Sequence, residues 1–117
     1  MELTELVRAI MSGNLLEARQ WVADARRAGL RWHECERPSG LDDRAMTIAA
    51  GLTELLATRS GEEPPMWTIA VGTNAEPVFL DPGIEKMPRT LAFTKAHAPE
   101  PLRKRNLFAM PNFLDVR

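Results

Sequence analysis

Three apolar stripes at helical spacing, all in the first half of the chain, constrain its fold more than any other feature. Leu3, Leu6, Val7 and Ile10 fall at i, i+3, i+4 and i+7 and predict a one-faced amphipathic helix from Leu3 to Met11. Ser12-Gly13-Asn14 ends it, because Gly13 permits the turn and Asn14 can cap the next helix. Leu15, Ala18, Val22 and Ala25, with Trp21 alongside, form a second stripe that runs to about Ala28. Glu17, Arg19, Asp24, Arg26 and Arg27 face outward from it, and Gly29 is placed to close it. A connection of three residues folds the two helices back on each other as a hairpin.

The third stripe is the clearest. Leu41, Ala45, Ile48, Ala49, Leu52, Leu55 and Leu56 share one face, and Ser60-Gly61 closes the segment. Ser39 followed by Asp42 resembles a capping box with Asp in place of the usual Glu or Gln. Gly51 sits inside this helix, where glycine costs about 1 kcal/mol relative to Ala. Its presence therefore predicts the close approach of another helix. Residues 30–40, broken by Pro38 and Gly40, read as a loop.

After Gly61 the character changes: apart from Pro38, every proline of the chain falls in 64–111. Pro64-Pro65 can seat a short helix from Met66 to Val71. The same stretch alternates, with Trp67, Ile69 and Val71 against Thr68 and Ala70, so a hairpin with residues 77–80 around Gly72-Thr73-Asn74 is the second reading. Met87-Pro88 opens a helical segment to about His97, and Pro99-Glu100-Pro101 opens another through Arg105. Pro111 precedes a last apolar pair, Phe113 and Leu114. With 117 residues, 44% of them apolar and 26% charged, the chain suits one folded domain. The expected fold is mainly α: a small helical bundle of three helices over about 3–59, completed by a proline-rich, partly irregular arm over about 61–117. Trp21, Trp32 and Trp67 are expected in the core or at its edge.

The net charge of −1 argues against a strongly basic nucleic-acid coat. The average hides a division. Residues 61–85 carry Glu62, Glu63, Glu76, Asp81 and Glu85 and no Lys or Arg. Residues 86–117 carry Lys86, Arg89, Lys95, Arg103, Lys104, Arg105 and Arg117 against Glu100 and Asp115. Cys35 is the single cysteine, so no intrachain disulfide forms. No apolar run approaches the roughly 20 residues of a membrane helix, and Glu2, Glu5 and Arg8 interrupt any secretory pattern at the start. A cytoplasmic location is the resulting expectation.

Chemistry-bearing residues are sparse. His33-Glu34-Cys35-Glu36 bunches possible metal ligands, but neighbours in one loop rarely converge on one ion, and the other histidine, His97, is remote in sequence. Cys35 with His97 lacks any nucleophile motif. Asp42-Asp43 and Glu62-Glu63 read as a helix start and a solvated loop. Gly72-Thr73-Asn74 lacks the lysine of a phosphate loop. No catalytic residue, metal or cofactor is expected. Arg103, Lys104 and Arg105, with Phe108 and Phe113 nearby, form the most distinctive cluster and the candidate partner-binding site. Arg beside aromatics is the composition of protein hot spots. On nucleic acid, three such cations would give a salt slope of only about −2.7. As a solvated face, they would leave Leu102, Leu107, Phe108 and Phe113 to pin the arm to the body.

Residues 10–32, 62–72 (Glu-Glu-Pro-Pro-Met-Trp-Thr-Ile-Ala-Val-Gly) and 99–114 (Pro-Glu-Pro-Leu-Arg-Lys-Arg-Asn-Leu-Phe-Ala-Met-Pro-Asn-Phe-Leu) resemble a group of small uncharacterised bacterial proteins. Members of that group are encoded beside nucleotidyltransferase-type proteins of the kind found in toxin–antitoxin systems. The resemblance implies an antitoxin-like or accessory role and transfers no catalytic residue. The expectation is thus a non-enzymatic module that binds another protein, possible partners including a nucleotidyltransferase-type toxin. A nucleic-acid-binding regulator using the basic C-terminal segment is the first alternative, and a small ligand-binding protein or enzyme the second.

Overall fold

The apolar stripes become helices that meet in one core. A computed structural model describes residues 2–115. Helix α1 spans Leu3–Met11 and α2 spans Leu15–Arg27. Between them Gly13 takes φ +75°, the left-handed conformation that such a tight reversal requires. Asn14 caps α2 by accepting from the Glu17 amide at 3.1 Å, and its own amide donates to the Glu17 carboxylate at 2.9 Å. The two helices pack as the expected hairpin and bury Leu3, Leu6, Val7, Ile10, Ala18, Trp21, Val22 and Ala25.

Helix α3, Asp43–Arg59, is the central element, and eleven of its residues are buried. The capping expectation shifts by three residues. Asp42, not Ser39, is the cap, and its carboxylate accepts from the Ala45 amide at 2.8 Å. Gly40 at φ +77° turns the chain first, so residues 39–41 stay outside the helix. A 3₁₀ turn at Trp32–Glu34 interrupts the loop before α3 and buries Trp32 beside Trp21, their ring centroids 6.0 Å apart. Trp67 is half-buried and donates its indole N–H to the Cys35 carbonyl at 2.9 Å. All three tryptophans therefore sit in the core or at its edge.

The arm folds onto this framework. Helix α4 is one turn, Met66–Ile69, seated by Pro65. No hairpin forms here: strand β1 (Val78–Phe79) pairs instead with β2 (Leu107–Phe108), in parallel and with Val78 opposite Leu107. Helix α5 is Pro88–His97 and α6 is Glu100–Arg103. Val78, Leu80, Leu102, Leu107, Ala109, Phe113 and Leu114 all join the apolar cluster built by α1, α2 and α3. Arg59, at the end of α3, donates to the carbonyls of Pro111 and Phe113 and ties the last described turn to the helix.

Gly51 is where the arm comes closest. A β-carbon there would lie 2.9 Å from Leu107 Cδ1 and 3.0 Å from Leu102 Cδ2. The expected close approach is real, and α6 and β2 make it. The resulting fold is mainly α. No described helix is long and apolar enough to cross a membrane.

Candidate partner-binding surface

The basic tripeptide does not form one face. Helix α6 ends after Arg103, the chain turns through 104–106, and Asn106 takes φ +64°. This turn sends the three cations in different directions. Arg103 is exposed and donates to the Ala96 carbonyl at 3.1 Å, closing the C-terminal end of α5. Lys104 is half-exposed and its ammonium lies 2.6 Å from Glu54 Oε2. Arg105 points inward and is only 4% exposed. Its guanidinium donates to the Pro101 carbonyl at 2.9 Å, the Thr68 carbonyl at 2.9 Å and Glu54 Oε1 at 3.1 Å. Arg105 thus stitches α3, α4 and α6 together and is withdrawn from any contact surface.

Phe113, 3% exposed, is likewise a core residue. The structure corrects the expectation that Arg105 and Phe113 contact a partner, because both side chains are consumed by the fold. Phe108 stays half-buried and stacks on Phe79 with centroids 5.7 Å apart and planes 29° apart. Leu102 and Leu107 pin the arm as the solvated-face reading expected.

The surface that remains is centred on α5. This helix turns Leu91 and Thr94 inward, and Thr94 is its one buried residue. The Thr94 hydroxyl is 3.3 Å from the Met110 sulfur. Outward it carries Arg89, Ala92, Phe93, Lys95, Ala96 and His97. Phe93 is 47% exposed, and its ring lies 4.5 Å from that of His97, one turn on. The Lys95 ammonium sits 5.7 Å from the Phe79 centroid, within reach of a cation–π contact. Lys86 and Arg89 extend the basic face, and between residues 86 and 104 Glu100 is the lone carboxylate. Beside Phe79 a groove of about 130 Å³ opens between α1, α3 and β1, lined by Ile10, Met11, Arg44, Ile48, Val78, Phe79 and Leu80. Phe79, Phe93, Lys95 and His97 were missed by a reading centred on the tripeptide. The signal that could have found the last three is the net +5 of residues 86–117 together with the weak apolar stripe of 88–97, whereas Phe79 lies outside both.

The other candidate residues do not assemble. Among the described residues no group of three or more His, Cys, Asp and Glu is placed to hold a metal. His33 faces the Glu63 carbonyl at 3.3 Å, while His97 stacks on Phe93. The Cys35 thiol points at the Arg31 carbonyl, and burial, with Glu62 nearby, pushes its pKa above the ordinary value. A thiol held neutral in this way is a poor nucleophile. Asp81 accepts from the Met110 amide at 2.8 Å. Burial raises its pKa, against the opposing pull of that amide and of Arg19. The chain matches no protein-family model, no curated protein and no solved structure.

Proposed function

We propose that this protein is a non-enzymatic binding module that holds an acidic protein partner on its α5 face. One observation carries this reading: α5 spends a single buried residue on the fold and presents Phe93, Arg89 and Lys95 to solvent. An exposed aromatic among cations is the composition of a contact hot spot. The resemblance to proteins encoded beside nucleotidyltransferases supports a cytoplasmic enzyme of that type as the partner. Occlusion is the mechanism: the arm lies over the partner's active site or holds it in one shape.

The test is co-expression with a nucleotidyltransferase-type protein from the same genome, followed by affinity capture. Wild-type protein is expected to retain the partner, and an R89E/K95E variant with an unchanged circular-dichroism spectrum is expected to lose it. Equal capture by both would remove the α5 face from the proposal. Nucleic acid is the second reading, favoured by the half-exposed Phe79–Phe108 stack beside Lys95, which could receive bases. Lys86, Arg89, Lys95 and Arg103 together would give a salt slope of about −3.6. Gel-shift titrations across salt concentrations separate the two readings.

A further inference from the structure

Two exposed surfaces of this one chain are both apolar and differ in the sign of their nearby charge. The first is the outer side of α4. Met66 and Ile69, three residues apart on a single turn, are 81% and 75% exposed. Exposed Glu63 and the more sheltered Glu62 precede them. This turn is held firmly from behind. The Thr68 hydroxyl, fully buried, donates to the Pro65 carbonyl at 2.7 Å, and the Thr68 carbonyl receives Arg105. The two apolar side chains therefore project from a rigid mount, and docking them orders little backbone. A pair of large apolar side chains held in water on such a mount marks an interaction site more than stray surface residues do.

The second surface is the groove between α1, α3 and β1. Its floor is apolar (Ile10, Ile48, Val78 and Leu80), and its volume of about 130 Å³ suits one aliphatic side chain. Its rim is basic: Arg44 lines it, and Lys95 lies over the Phe79 ring that forms one edge. The projecting turn is apolar with the exposed Glu63 carboxylate before it, Glu62 being engaged by Arg31 at 3.7 Å, and the groove is apolar with a basic rim.

We propose that a second copy of this chain docks its Met66–Ile69 turn into this groove, with Glu63 facing Arg44 and Lys95. Each copy carries both surfaces, and the proposed arrangement is the two-fold one, in which the contact is used twice and the assembly closes at a dimer. The groove borders the α5 face, so the dimer shields that face, and a partner must compete with the second copy for it. This last consequence rests on the proposed function; the self-association does not.

Sedimentation velocity on the full chain, from micromolar to near-millimolar concentration, tests it. The average mass is expected to rise toward twice that of the monomer. M66E/I69E, and separately R44E/K95E, are expected to weaken association about tenfold or more with unchanged circular dichroism. All four positions are at the surface or the groove rim, so folding is preserved. Mixing E63K with R44E/K95E is expected to give tighter association than either variant shows alone. A wild-type chain that stays monomeric throughout, or a dimer indifferent to M66E/I69E, overturns the proposal. Partner capture by M66E/I69E reads the function separately: it persists if the α5 face binds a partner, whether or not the chain dimerises.

Discussion

Replacing Arg105 by alanine separates a fold-building cation from a surface one. The side chain makes three hydrogen bonds in a buried setting, to Glu54 and to the carbonyls of Pro101 and Thr68. R105A leaves the Pro101 carbonyl without its donor, at roughly 1–3 kcal/mol, while the Thr68 carbonyl keeps the Val71 amide at 3.2 Å. Glu54 keeps Lys104 as a partner, so its carboxylate is not stranded. Breaking a buried ion pair from one side costs about 3–5 kcal/mol, and the sheltered position of Arg105 places it in that class. Native stability for a chain of this size is roughly 6–18 kcal/mol, so the loss is a large share. At about 4 °C per kcal/mol, the melting temperature should fall by about 12–20 °C. Thermal unfolding followed by circular dichroism measures this, with R103A and K104A as controls. Both controls sit on exposed or half-exposed side chains and should shift stability by no more than about 1 kcal/mol. Replacing both members of the pair, as E54M/R105M, should recover part of the loss, because a well-packed apolar pair needs no counter-charge. The reasoning fails if R105A melts with R103A and K104A, since the guanidinium would then be exchanging with water.

Two more substitutions probe the same geometry. G51A gains about 1 kcal/mol of helix propensity but forces its methyl against Leu102 and Leu107, which are fully buried and cannot swing away. Overpacking costs about 1–3 kcal/mol, so urea unfolding should show a net loss, and a raised midpoint would refute the close approach. At Asp81 the folded pKa lies above the ordinary 3.8, so the folded state binds the proton more tightly than the unfolded one. Its contribution to stability is therefore greatest below the ordinary value and declines as pH rises through the folded value. D81N keeps an oxygen to accept from Met110, and it should remove that decline from the acid side of the stability–pH curve; an unaltered curve would reject the assignment.

The N-terminal half was legible because its information is local. Helical spacing, the Asn14 cap and the Gly13 turn act across four residues or fewer, and α1, α2 and α3 appear where those signals stand. Gly51 was legible as a contact point for a related reason: a glycine costs helix stability at once, so an approach must compensate it. The identity of what approaches, Leu102 and Leu107, lies some fifty residues away and has no local mark. The Ser39–Asp42 pair shows the limit of spacing alone, since the turn at Gly40 decided which residue became the cap. Likewise the alternation over 67–71 suited a strand, but Arg105 holds the Thr68 carbonyl and Val78–Phe79 found its partner in Leu107–Phe108.

The candidate surface divides in the same way. Sequence alone determined that cations gather after residue 85 and that aromatic residues lie among them. Tertiary structure alone decided which of those cations meet water. Whether an arginine stays solvated or turns inward depends on a carboxylate waiting for it, and Glu54, on α3, stands fifty-one positions before Arg105. Periodicity records how a segment hydrogen-bonds to itself. The side on which a charge ends up is settled only when distant segments pack and the dielectric around it falls.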